Sequence, residues 1–131
     1  SIIGEGTEIY GEVVNSVSGA GVTIAKGAVV RDSIIMQGCV IGAGSVVDKA
    51  IVAENVKIGS GVEIGVGEYA PSAYDPKVYQ FDIVTIGENS IVPDGVKIGK
   101  NTAIAGDTTV SDYPDGLLAS GNYIIKAGGV K

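Results

Sequence analysis

Isoleucine and valine recur along this chain at a fixed interval of six. Ser18, Ile24 and Val30 are followed by Ile35, Ile41 and Val47, and these by Val52, Ile58 and Ile64. Successive triplets begin seventeen residues apart, at positions 18, 35 and 52. Ile3, Ile9 and Val14 precede them as a slightly shorter turn, and Ile86, Val92, Ile98, Ile104 and Val110 follow at intervals of six. Of these seventeen positions only Ser18 is neither Ile nor Val. Two further columns are locked to the first. The fourth position of each unit is Gly6, Gly21, Gly27, Gly38, Gly44, Asn55, Gly61, Asn89, Gly95, Asn101 or Asp107. These residue types enter a left-handed backbone conformation at low cost. The fifth position is small or β-branched, as at Thr7, Ala28, Cys39, Ser45, Val56, Val62, Ser90, Val96, Thr102 and Thr108.

The pattern predicts a short strand with one aliphatic side chain turned inward, a corner at the Gly, Asn or Asp, and a small residue filling the space under the bend. Three such sides close a coil. Seventeen residues rather than eighteen implies one trimmed corner per coil, at Val30-Arg31-Asp32-Ser33-Ile34 and again at Val47-Asp48-Lys49-Ala50-Ile51. The expected fold is all-β: a left-handed parallel β-helix of hexapeptide repeats with five to six coils, an architecture outside the usual right-handed crossover preference. At ~4.8 Å per coil the prism is about 25 Å long. Helices are excluded by the recurring glycines, each costing about 1 kcal/mol in a helix interior. Each coil touches only its neighbours, so both ends need covering.

The period assigns residues 1–110 to the β-helix, with one long loop inserted at 65–85. There the spacing from Ile64 to Ile86 is twenty-two, leaving about sixteen extra residues that include Tyr69, Tyr74, Tyr79, Phe81, Pro71 and Pro76. The prolines exclude a helix or a central strand. The loop is expected to lay its aromatics on the prism or to offer a contact surface to another domain or subunit. Residues 111–131 are expected to form a cap or tail, entered through a turn at Ser111-Asp112-Tyr113-Pro114-Asp115-Gly116. Because Ser1 leads directly into a coil, the chain is expected to be part of a longer protein, or a domain lacking its cap.

Composition narrows the functions. The net charge is −6, Arg31 is the sole arginine, and no basic cluster exists to meet nucleic acid or an anionic membrane. No run approaches the ~18 apolar residues that cross a bilayer, and the first residues, without a charged stretch and apolar run, are not expected to be a secretory signal. The lone Cys39 excludes a disulfide framework and points to a reducing, cytoplasmic setting. There is no histidine.

Candidate chemistry is sparse. Gly4-Glu5-Gly6, Gly19-Ala20-Gly21, Gly42-Ala43-Gly44 and Gly59-Ser60-Gly61 begin like dinucleotide loops, but none has the third glycine or a following helix. Cys39 has no neighbouring base and is expected as buried filler. Asp32, Asp48, Asp112 and Asp115 fall in turns, with no acid–base pair among them. Arg31 and Lys49, at equivalent trimmed corners one coil apart, are the candidate anion-binding residues. No catalytic residue and no metal ligand is identified.

Left-handed β-helices occur in acyltransferases, in one carbonic anhydrase class and at the C-terminus of sugar-nucleotide pyrophosphorylases. The first typically use a histidine base and the second histidine-bound zinc, so a chain without histidine disfavours both. The stretches Ile9-Tyr10-Gly11-Glu12-Val13-Val14-Asn15-Ser16-Val17, Gly27-Ala28-Val29-Val30-Arg31-Asp32-Ser33-Ile34-Ile35-Met36 and Ala50-Ile51-Val52-Ala53-Glu54-Asn55-Val56 resemble the C-terminal domain of bacterial glucose-1-phosphate adenylyltransferase. Val84-Thr85-Ile86-Gly87-Glu88-Asn89-Ser90, with Pro93, Gly95, Lys97, Ile98, Gly99, Lys100 and Asn101, is similar to the close of that family's helix. The resemblance runs from about Ser1 to Val110.

What it implies is a parent enzyme that joins ATP and glucose 1-phosphate into ADP-glucose and pyrophosphate, with magnesium, for glycogen synthesis. The catalytic domain of such enzymes is N-terminal and absent here. The β-helix serves assembly and allosteric control, so the implied partners are that catalytic domain, other subunits and a phosphorylated effector. The alternative is a free-standing acyltransferase-like or scaffold β-helix that trimerises by its flat faces, which an outward face rich in Val or Ile would favour.

Overall fold

The computed structural model describes residues 2–66, 83–106, 108–113 and 116–125. They form a left-handed parallel β-helix whose strands fall into three parallel sheets, the faces of a prism. The first face stacks Ile2–Ile3, Val17–Ser18, Ile34–Ile35, Ala50–Val52, Val84–Ile86, Ala103–Ala105 and Tyr123–Ile125. The second stacks Glu8–Ile9, Thr23–Ile24, Val40–Ile41, Lys57–Ile58 and Ile91–Val92. The third stacks Glu12–Val14, Val29–Arg31, Val46–Asp48, Glu63–Val66, Lys97–Gly99 and Leu117–Leu118. The chain thus winds through about six coils.

Strands of two to four residues form because each corner is a residue with positive φ. Gly6, Gly21, Gly38, Asn55 and Asn89 make one corner column, and Gly27, Gly44, Gly61 and Gly95 another. The inward column is the core. Ile24, Val30, Ile35, Ile41, Val47, Val52, Ile58, Ile64, Ile86, Val92, Ile98 and Ile104 are buried, and so is Ser18. Beneath the bends, Ala28, Cys39, Ser45, Val56, Val62, Ser90, Val96, Thr102 and Thr108 are buried as expected.

Three expectations need correction. Register places Val13, not Val14, opposite Val30, and Val14 is exposed beside Arg31. The first coil turns from Ile9 to Val13 in four residues where the next turns from Ile24 to Val30 in six. Ile3 and Ile9 remain partly exposed although they align with Ser18 and Ile24, because no described strand lies on their other side. Third, the sheets do not stop at Val110. Leu117–Leu118 pairs with Lys97–Ile98, and Tyr123–Ile125 with Ala103–Ala105. Here the repeat lengthens to twenty residues, from Ile98 to Leu118, which breaks the six-residue rhythm. On the second face a 3-10 turn, Val110–Asp112, replaces the strand, and the buried Tyr113 follows it.

The loop expected at 65–85 lies mostly outside the described residues, as do its four aromatics and residues 126–131. Its flanks are informative: Val52 aligns with Ile86 and Ile64 with Ile98, thirty-four residues apart, twice the coil length. No described helix is long and apolar enough to cross a membrane.

Candidate functional site

The trimmed corner between the third and first faces holds the candidate anion-binding residues. Asn15, Asp32 and Lys49 stack there with φ of 47°, 47° and 52°. Inside the bend runs a ladder of hydroxyls. Ser16 Oγ donates to the Val14 carbonyl at 2.8 Å and accepts the Ser33 amide at 3.1 Å. Ser33 Oγ donates to the Arg31 carbonyl at 2.6 Å and accepts the Ala50 amide at 3.0 Å. Each hydroxyl thus supplies the acceptor for an amide one coil along that would otherwise be buried without one.

On the outside of this corner Arg31 and Lys49 are not equivalent. Register sets Arg31 opposite Asp48, and their side chains meet at 3.7 Å. Lys49 continues one step along, beside Asp32, with its amide on the Arg31 carbonyl. The corner therefore carries two cations interleaved with two carboxylates rather than a cationic edge. The ion pair is well exposed, a setting in which it contributes ~0–1 kcal/mol. A similar cross-coil pair joins Lys97 to Glu63 at 3.6 Å on the third face.

Other polar groups of the interior are tied to the backbone. Cys39 Sγ donates to the Ala53 carbonyl at 2.9 Å, and burial pushes its thiol pKa up, which keeps it protonated. Ser45 Oγ donates to the Gly59 carbonyl and accepts the Val62 amide, and Ser90 Oγ does the same for Gly87 and Gly106. The Gly-x-Gly pairs serve close stacking of coils: a Cβ on Gly4 would stand 2.5 Å from the Gly19 carbonyl carbon. Among the described residues no group of three or more His, Cys, Asp or Glu is placed to hold a metal ion.

The feature that sequence reasoning missed lies on the outside of the first face. Its outward row runs in continuous register through Ile2, Val17, Ile34, Ile51, Thr85, Ala103 and Tyr123, with no charge among seven residues. The corresponding rows on the other faces include Glu8 and Lys57, and Glu12, Glu63 and Lys97. Ile2 is 70% exposed, Val17 42% and Ile34 44%. Beside them a shallow groove of ≈300 Å³ is lined by Val17, Gly19, Ala20, Ile34, Met36 and Gln37, with Glu54 at its margin. The signal was present in the sequence as the residue preceding each first-face core position. It becomes a surface only once the coils are aligned.

Comparison with known proteins agrees with this architecture. Residues 1–86 match the family model described as GlmU-like, C-terminal hexapeptide. Glucose-1-phosphate adenylyltransferase of Lachnospira eligens is 59% identical over 128 residues, covering 98% of this chain and 30% of the relative. The enzymes of the same name from Thermotoga maritima and Acetivibrio thermocellus are 53% and 41% identical, over 95% and 98% of the chain. The chain spans about 30% of the length of each of these relatives. With the hexapeptide solenoid and this match together, the chain belongs to the GlmU-like family of C-terminal hexapeptide domains.

Proposed function

We propose that this chain is the β-helical domain of a glucose-1-phosphate adenylyltransferase and serves that enzyme in subunit assembly and allosteric control. Catalysis, the joining of ATP and glucose 1-phosphate into ADP-glucose and pyrophosphate for glycogen synthesis, belongs to the remainder of the longer protein, as does its magnesium. The setting is the cytoplasm. The observation that carries this reading is the use of the buried nucleophiles. The Ser16, Ser33, Ser45 and Ser90 hydroxyls and the Cys39 thiol each donate to a backbone carbonyl at a corner. Groups so engaged hold coils together, and what the prism offers to other molecules is its outer faces. The apolar first face also suits the alternative of a free-standing trimeric scaffold, but 59% identity over nearly the whole chain to a named adenylyltransferase favours the first reading. A phosphorylated effector is the expected small-molecule partner, and Arg31 and Lys49, interleaved with Asp48 and Asp32, are the candidate residues for it.

The test is an assay of ADP-glucose formation from ATP and glucose 1-phosphate. The full-length gene product is expected to be active and the 131-residue chain inactive. A full-length protein that makes no ADP-glucose overturns the reading.

A further inference from the structure

We propose that the coils before and after the insertion are clamped to each other independently of the chain that links them, so that the link can be severed without the prism opening. The inference rests on contacts between described coils and stands apart from the functional reading above. Elsewhere a single corner joins one strand to the next. At this step residues 67–82 intervene, and closing a loop of that length costs more entropy than closing a corner. The cohesion of the step has to come from the coils themselves.

Their pairing is fuller here than in the step below. On the first face Ala50, Ile51 and Val52 pair with Val84, Thr85 and Ile86, whereas below only Ile51 and Val52 pair, with Ile34 and Ile35. On the third face Glu63, Ile64 and Val66 pair with Lys97, Ile98 and Gly99, whereas below only Glu63 and Ile64 pair, with Val46 and Val47. On the second face Lys57 and Ile58 pair with Ile91 and Val92. All three core columns continue across the step, through Val52 on Ile86, Ile58 on Val92 and Ile64 on Ile98, each of them buried. Burial of this kind is non-directional and needs no covalent connection.

Side chains add two links across the same step. Asp94 Oδ1 accepts the Ser60 amide at 2.8 Å, and Gly59 lies so close to Asp94 that a Cβ would not fit. Lys97 Nζ meets a Glu63 carboxylate oxygen at 3.6 Å. Both links lie away from the corner where the chain departs. At that corner each end of the link is tied down before it leaves the prism. Gly65, at φ 89°, packs against the Asp48 carbonyl, and the Val84 amide donates to the Lys49 carbonyl at 3.0 Å.

The experiment cuts the link. In the full-length protein the recognition sequence of a site-specific protease replaces residues 72–77, and the uncut form of the same protein is the reference. Amide hydrogen exchange reads the clamp directly, because the Lys57, Gly59 and Glu63 amides donate across the step to the Ser90, Val92 and Val96 carbonyls. After cutting, the two pieces are expected to elute together at about 1 μM, far below the roughly millimolar concentration a short tether imposes. The three amides are expected to stay protected at least about a hundredfold relative to unstructured chain. Separation of the pieces, or exchange of these amides at the unstructured rate, overturns the proposal. Asp94→Ala with Lys97→Ala in the cut protein is expected to lower that protection by a further factor of about ten, and an unchanged protection overturns the part assigned to the side chains. Neither readout depends on ADP-glucose synthesis, so a failed clamp leaves the functional reading standing and an inactive enzyme leaves the clamp standing.

Discussion

The Ser33 hydroxyl accepts the amide of Ala50 at 3.0 Å while donating to the Arg31 carbonyl at 2.6 Å, and so bolts one coil to the next across seventeen residues. Both groups it serves belong to the buried side of a shortened corner. Ser33→Ala is expected to leave the Ala50 amide without an acceptor and to lower stability by about 1–3 kcal/mol. Exposed Ser60→Ala is expected to shift it by no more than about 0.5 kcal/mol. Urea denaturation at equilibrium reads the difference, and equal effects would mean that the ladder is incidental.

Lys49 holds a φ of 52° at a corner where Asn15 supplies a residue suited to that conformation. A lysine there carries a backbone cost of about 1 kcal/mol that asparagine lowers. Lys49→Asn is expected to raise the unfolding free energy by about 0.5–1 kcal/mol, and Asn55→Ala, at φ 58°, to lower it by about 1 kcal/mol. Thermal unfolding compares the two. A neutral Lys49→Asn would show that the attraction of Lys49 to neighbouring Asp32 offsets the strain.

Tyr113 plugs the last coil, and desolvation pushes its phenol up to about 12 despite the hydrogen bond with Thr108. The folded state thus favours the protonated ring more than the unfolded chain does, where the phenol titrates near 10. The corresponding stability is fully present below about pH 10 and is lost as pH rises toward about 12, with an upper size of roughly 2–3 kcal/mol. Tyr113→Phe is expected to flatten that part of the pH–stability curve. Urea midpoints from pH 9 to pH 12 decide the matter: parallel curves for the two proteins would refute it.

The inside of this molecule was far more legible in the sequence than its outside. A corner admits only residues tolerant of positive φ, and the space beneath it only small ones, so Gly38-Cys39 and Gly44-Ser45 announce their places chemically. Outward positions carry no such constraint. Ile34 and Lys57 are equally compatible with a strand, and only register turns Ile2, Val17, Ile34 and Ile51 into one strip. At the trimmed corner the spacing left out one detail that register supplies. Adding one coil length to Arg31 gives Asp48, and to Asp32 gives Lys49, so the like charges are offset by one residue. At the far end, a twenty-residue coil and a 3-10 turn removed the periodicity that had served elsewhere.

The thirty-four-residue step between Val52 and Ile86 has its own consequence. The strands on either side of the insertion pair as though they were consecutive, so the register of the described coils runs on across it. That point on the molecule works as an exchangeable socket. Proteins sharing this scaffold are free to diverge there in length and composition, acquiring or losing recognition without rebuilding a single coil.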